Sequence, residues 1–177
     1  MKPEITTSAL NDLWEALVTK NGTCWAKVVS RSMYPTIKIG DQVLVEKVRP
    51  DEVRFGDIIV FRQNRRLVIH RVIGKSEHGG QFHFLEKGDA NLQSSLVSAE
   101  DIIGKVIIIR SQARTLNTTS GVGRLLQLIL ACISYSSVYL RRIFKGRFVR
   151  EKPVFYYSTM YNDFFLLLQR ITLRLFR

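Results

Sequence analysis

The sequence predicts a mainly β protein: a coiled β-sheet or barrel, with a short N-terminal helix and amphipathic C-terminal helices. Short apolar runs rich in Val and Ile recur between residues 24 and 110. Gly-Asp, Pro-Asp and Gly-Gly pairs separate these runs and are typical of turns. Strands so short and closely spaced favour a coiled sheet, because a parallel α/β sheet would need helical crossovers.

The first predicted element is an amphipathic helix within residues 1–22. Ser8 is a candidate N-cap, Asn21-Gly22 provides a stop signal, and apolar residues follow the spacing of one helix face: Leu10, Leu13, Trp14, Leu17 and Val18. Residues 23–110 are then predicted to form the β-rich domain, with strands around Val28-Val29, Val43–Val45, Ile58–Phe61, Leu67–Ile69, Phe82–Phe84 and Val106–Ile109.

Residues 111–123 are polar and predict a linker, and residues 124–177 predict a basic, apolar helical tail. Its longest uncharged run, Leu125–Leu140, has 16 residues and reaches about 24 Å as a helix, short of the ~30 Å hydrocarbon core. Polar residues recur at helical spacing through this run: Arg124, Gln127, Ser134, Ser137 and Arg141. We therefore expect this helix to lie in a membrane interface rather than to span it.

The net charge of +12 is concentrated in the tail. Residues 1–110 carry 16 basic and 13 acidic residues, whereas residues 111–177 carry 11 and 2. A basic apolar tail favours a membrane surface as partner, and the tail contains no recognised RNA-binding motif, so nucleic acid is not expected. Cys24 and Cys132 are isolated from each other, so we expect no metal site, cofactor or disulfide scaffold. The oligomeric state stays open.

Three residues of the β-rich region are of the types that serine peptide hydrolysis requires. Ser32 follows a predicted strand, His70 ends the run Leu67–Ile69, and Asp89 lies in a turn. A hydroxyl, a base and an orienting carboxylate together can activate a nucleophile. These residue types alone do not establish catalysis, because Ser, His and Asp occur in most proteins of this size.

The motifs around these residues resemble the successive boxes of the type I signal peptidase family. In order, they read SMYPT from Ser32, GDQVLV from Gly40, GDIIVF from Gly56, HRVIG from His70 and KGDAN from Lys87. The resemblance covers roughly residues 27–109. Most bacterial members carry Lys in the fourth box, whereas the endoplasmic-reticulum, archaeal and spore-former type carries His, and this chain resembles the His type.

The resemblance implies a role for each site residue. Ser32 would be the nucleophile, His70 the general base and then acid, and Asp89 the group that orients His70. The Ser32 backbone N–H, with Ser30 assisting, would bind the oxyanion. Because imidazole has an ordinary pKa near 6.5, activity should fall below about pH 6.

One position departs from the family pattern. Relatives of the His type often carry a further acidic residue about six positions after the Gly-Asp pair, where this chain has Ser94-Ser95. The departure leaves open which group orients His70, with Asp101 as a distant substitute for Asp89.

The expected function is that of a membrane-associated serine endopeptidase that removes a leader or signal segment from a precursor polypeptide. The spanning helix that usually precedes the serine box is not expected here, so attachment would be peripheral or through the C-terminal segments. One alternative is a soluble, cytoplasmic protease that matures a small ribosomal peptide. Another is a non-enzymatic β module that binds membrane through its basic tail.

Overall fold

The computed structural model describes residues 7–112, 114–147 and 154–175. In chain order the elements are α1 (Thr7–Asn21), β1 (Thr23–Lys27), β2 (Gln42–Glu46), β3 (Ile58–Gln63), β4 (Arg66–His78), β5 (Gln81–Lys87), β6 (Ser95–Ser98), β7 (Ile102–Arg110), β8 (Thr115–Asn117), α2 (Gly121–Arg147) and α3 (Val154–Leu175). Short 3-10 turns at Pro50–Glu52 and Ala99–Asp101 precede β3 and β7.

The strands form one curled antiparallel sheet in the order β1-β2-β7-β3-β4-β5-β6, and β8 also pairs with β7. β1 therefore forms one end of this order and β6 the other. The mainly β class, with one helix before the sheet and helices after it, confirms the predicted fold.

The two faces of the sheet bury separate apolar clusters, because alternate residues of a strand point to opposite sides. One cluster includes residues of the loop after β1 and comprises Val28, Met33, Ile37, Val43, Val45, Ile58, Val60, Val106 and Ile109. The other lies on the opposite face and comprises Val53, Ile59, Phe61, Val72, Phe84 and Val97. Neighbouring residues of β4 therefore face different surroundings, which matters for His70 and Arg71.

Helix α1 packs on the sheet near the end of β1. The Trp14 indole nitrogen donates to the Trp25 carbonyl at 3.0 Å, and the Asp12 and Glu15 carboxylates pair with Arg62 of β3. These contacts place α1 across the β1 edge and the β3–β4 hairpin.

The C-terminal helices pack on each other and on the sheet. Leu126 and Leu130 of α2 form a small buried cluster with Leu173 of α3. The stretch predicted as a linker contains β8 and the start of α2, so it continues the sheet and the helical layer; the domain boundaries themselves stay a prediction.

By length and composition, Gly121–Arg141 of α2 is a candidate for crossing a membrane. Within the protein, 39% of its most apolar part is buried. α2 is therefore partly buried by packing within the protein.

Candidate active site

Ser32 lies in the turn that follows β1, beside the segment Gly88–Asn91. The Ala90 N–H donates to the Ser32 carbonyl at 2.9 Å. A side-chain carbon added at Gly88 would lie 2.7 Å from that carbonyl oxygen, so only glycine permits this approach. The Ser30 and Ser32 hydroxyl oxygens are 3.3 Å apart. The turn therefore brings both predicted serines to the end of the sheet.

His70 lies in β4, with its ring mostly buried and 12% of the side chain exposed. Its Nδ1 is 2.5 Å from Glu86 Oε2, and its Nε2 is 3.3 Å from the Asn91 side-chain nitrogen. Phe61 packs edge-on against the ring, with 6.0 Å between ring centroids. A carboxylate on Nδ1 favours the tautomer that carries the proton there, so Nε2 is unprotonated and accepts a hydrogen bond from the Asn91 amide.

The Gly88–Asn91 segment links the two predicted catalytic residues. Through Ala90 it holds the backbone of Ser32, and through Asn91 it contacts the His70 ring. The Asn91 N–H also donates to the Gly88 carbonyl at 2.9 Å, which closes the turn. One short turn thus fixes both sides of the site.

Asp89 belongs to this segment, but its carboxylate points away from the His70 ring into a buried network. Arg71 donates to both of its oxygens, from Nε at 2.8 Å and from Nη2 at 2.7 Å, and Thr36 donates at 2.5 Å. Because His70 and Arg71 are adjacent in β4, their side chains leave opposite faces of the sheet. The residue in contact with His70 Nδ1 is therefore Glu86 rather than the expected Asp89.

Arg71 is completely buried and connects Asp89 to the rest of the protein. Its Nη1 donates to the Gly56 carbonyl at 3.2 Å and to Gln127 Oε1 of α2 at 2.5 Å. Five donors on a planar group suit such a junction. The helical layer is thereby tied to the turn that holds Ser32.

Two ionisable groups of this network have displaced pKa values. Burial alone would raise the pKa of Asp89, but Arg71, Thr36 and Lys87 outweigh it and hold the pKa below its ordinary value. Burial lowers the pKa of Lys87 from 10.5 to about 8, against the opposing attraction of Asp89. The Lys87 ammonium donates to the Gly88 carbonyl at 3.3 Å, so this titratable group lies directly behind the site.

Glu86, Asn91 and Arg71 are not among the residues singled out from the sequence. The sequence does carry a sign that Glu86 is functional: it is an acidic residue within the apolar strand β5. In the structure it is 2% exposed. Ser95 of β6 donates to its other carboxylate oxygen, Oε1. Asp101, the other substitute considered, lies in the turn that precedes β7. Across residues 7–112, 114–147 and 154–175, no three His, Cys, Asp or Glu side chains form a candidate metal site.

Comparison with known proteins gives two results. The profile of the Peptidase S24-like family matches residues 4–107, more than half of the chain. The chain is 38% identical over 92 residues to the signal peptidase complex catalytic subunit SEC11C of Homo sapiens, Mus musculus and Canis lupus familiaris. This region is 49% of the chain and 47% of each relative, so the match spans about half the length of these relatives.

Proposed function

The chain belongs to the Peptidase S24-like family, and from this premise we propose that it is a serine endopeptidase of the signal-peptidase type in which Ser32 and His70 perform catalysis. The observation that carries the proposal is the turn Gly88–Asn91, which contacts the Ser32 backbone and the His70 ring together. A carboxylate behind the imidazole completes the set of groups that serine acylation needs.

The proposed reaction begins when Ser32 Oγ attacks the carbonyl carbon of the scissile peptide. His70 Nε2 exchanges its bond from the Asn91 amide for one from the Ser32 hydroxyl and takes the hydroxyl proton, while Glu86 accepts a hydrogen bond from Nδ1–H and stabilises the resulting imidazolium. The Ser32 N–H, with the neighbouring Ser30 hydroxyl, would donate to the oxyanion. His70 then gives its proton to the leaving amine, and water, deprotonated by the same imidazole, hydrolyses the acyl-enzyme.

Asp89 has a different part in this scheme from the one expected from the sequence. Its ion pair with Arg71 and its bond from Thr36 hold the turn that carries Gly88 and Asn91. In the proposed mechanism Asp89 is therefore a positioning residue for the turn, and the orienting contact to His70 belongs to Glu86.

The outer edge of the chain at Lys27–Val29, beyond the part of β1 that α1 covers, is the proposed docking site for the substrate. The Val28 N–H donates to Asp41 and its carbonyl accepts from Gly40, so the backbone groups of Lys27 and Val29 point the other way. The Val29 side chain is 81% exposed. An extended precursor segment paired with this edge would run towards Ser32.

A membrane surface is the proposed site of action. The signal peptidase complex subunits that the chain resembles suggest a precursor with a leader segment as substrate. In the described parts of α2 and α3, several apolar side chains are exposed: Val122, Leu125, Tyr135, Tyr139, Phe164, Leu167 and Ile171. Basic residues near the end of α2 would favour anionic lipid beside such a surface.

The proposal is tested by a mass-spectrometric census of protein N-termini in cells that carry the wild type, Ser32→Ala or the exposed-serine control Ser76→Ala. Specific N-termini should vanish with Ser32→Ala and persist with the control. Loss from exported proteins would support a membrane-surface peptidase, and loss from one small precursor would support a maturation protease. An unchanged set of N-termini, with Ser32→Ala expressed and folded, would refute peptidase activity.

A further inference from the structure

Three side chains on three adjacent strands lie in a row on one face of the sheet. In the ladder, Val72 of β4 pairs with Glu86 of β5, and Glu86 pairs with Ser95 of β6. His70 is two residues before Val72, so it shares the face of Val72 and Glu86. The pleat alone therefore brings His70, Glu86 and Ser95 to one side of the sheet.

Hydrogen bonds join the members of this row from end to end. Glu86 Oε2 is 2.5 Å from His70 Nδ1, and the Ser95 hydroxyl donates to Glu86 Oε1. The Glu86 side chain is 3% exposed, and a buried carboxylate is stable only where its oxygens have partners. The Glu86 oxygens have such partners in His70 and Ser95. With one oxygen on each neighbour, the carboxylate has a single favourable orientation.

The other acidic residue near the site cannot take this place without breaking a second network. Asp89 binds Arg71 with both carboxylate oxygens and accepts from Thr36, on the opposite face of β4. Turning Asp89 towards His70 would leave the completely buried Arg71 guanidinium without its anion. The geometry thus separates an ion pair that holds the turn from a carboxylate that serves the imidazole.

We propose that Glu86 is the positioning residue that orients His70 and that Ser95 fixes the Glu86 carboxylate. A carboxylate at position 95 of β6, in place of the one at position 86 of β5, can then still orient His70. This inference rests on the proposed function of His70. Positions 86 and 95 are direct cross-strand partners, and Ser95 already contacts the carboxylate that contacts His70, so we expect a longer acidic side chain at position 95 to reach the same imidazole nitrogen. The pairing thus accounts for a chain that carries serines where relatives often carry the acid.

The first test measures peptide cleavage by purified full-length chains carrying Glu86→Gln or Ser95→Ala. Glu86→Gln keeps the size of the side chain but lets the amide favour the wrong tautomer of His70. We expect kcat to fall by about 10²-fold to 10⁴-fold, with little change in KM. Ser95→Ala should lower kcat by roughly tenfold or less, because the carboxylate remains. A Glu86→Gln enzyme within about twofold of the wild type would overturn the proposal.

The second test exchanges the two side chains. Glu86→Ser should be nearly inactive, and adding Ser95→Glu should restore at least about tenfold of the lost kcat. The matched double variant Glu86→Ser with Ser95→Gln has the same shape but no charge, and should restore nothing. If the two double variants have equal activity, the acid cannot be moved across the ladder and the proposal fails. If Glu86→Gln does not fold, the comparison of the two double variants tests the proposal by itself.

A readout that needs no activity separates this inference from the proposed function. In Ser32→Ala, which should not cleave, proton NMR should show the His70 Nδ1–H held by Glu86 as a signal protected from solvent. The signal should disappear when Glu86→Ala is added, because no acceptor then remains at this position, whether or not the chain is a peptidase. A signal that persists in the double variant would exclude the contact. A wild-type chain that keeps this signal but cleaves no peptide would instead count against the proposed function.

Discussion

At the residue scale, the candidate site depends on contacts that few side chains other than those present could make. Gly88 allows the Ser32 carbonyl to approach its turn, and Arg71 fills a buried junction that needs several donors on one planar group. Both belong to motifs visible in the sequence. The sequence nevertheless suggests Asp89 as the partner of His70, because spacing along the chain does not reveal which face of the sheet a carboxylate occupies.

Gly88→Ala should reduce activity far more than stability. The new methyl group would lie 2.7 Å from the Ser32 carbonyl and 2.7 Å from the Asn91 side-chain nitrogen, so the turn that carries Ser32 must move away. A displacement of about 1 Å at a reacting group can cost about 10²-fold in rate. Cleavage kinetics and thermal unfolding should be compared with those of Leu92→Ala, a partly exposed position in the next turn. Equal kcat in Gly88→Ala and the wild type would contradict the proposed position of Ser32.

Lys87→Met should stabilise the fold, and the gain should shrink as pH rises. Lys87 has a pKa of about 8 when folded and 10.5 ordinarily, so below pH 8 it is charged in both states at a cost of about 3 kcal/mol. Between these values the unfolded chain binds more protons, so the free energy of unfolding of the wild type rises with pH. Urea unfolding of both proteins from pH 7 to 10.5 measures this. A difference that is constant with pH would show that burial does not lower the Lys87 pKa.

At the element scale, α2 has a structural role that its apolar composition does not indicate. Its residue Gln127 accepts a hydrogen bond from Arg71, and its residue Arg124 donates one to Asp57; both partners belong to the β region. The polar residues whose helical spacing predicts an interfacial helix are thus partly contacts inside the protein; Gln127 and Ser134 are completely buried. Helical periodicity reveals that one face differs from another, but not which face is turned towards the protein.

Gln127→Met should weaken the attachment of α2 and disturb the site. It removes the acceptor for the Arg71 guanidinium and leaves a charged donor less well paired, at a cost of about 1–3 kcal/mol. Gln169→Met is a matched control, because Gln169 is equally buried but donates to the neutral Ser134 at 3.4 Å. The control should lose about 1 kcal/mol or less in denaturant unfolding and keep its activity. Equal losses in both variants would contradict a special role for the Arg71 contact.

At the scale of the whole molecule, the fold class and the family can be predicted from the sequence because both depend on short segments that are continuous in the chain. Alternating apolar runs predict the strands, and the five ordered motifs indicate the signal peptidase type; the family match and the curled sheet confirm both. The sequence does not predict β8, because its three residues, Thr115–Asn117, lie in a polar stretch and form a strand only by pairing with β7. The sequence does not predict the contact between Glu86 and His70 either, because this contact depends on how β4, β5 and β6 pair in the sheet.

The most direct test of the central claim is cleavage of a synthetic peptide that spans a site found by the N-terminal census. Purified wild type, Ser32→Ala and His70→Ala would be compared at pH 7.5 in the presence of anionic lipid vesicles, with thermal unfolding as the check on folding. The wild type should cut one bond, and each variant should stay folded and lose at least about a thousandfold in kcat/KM. A folded variant of either kind that cleaves within about tenfold of the wild-type rate would contradict catalysis by Ser32 and His70.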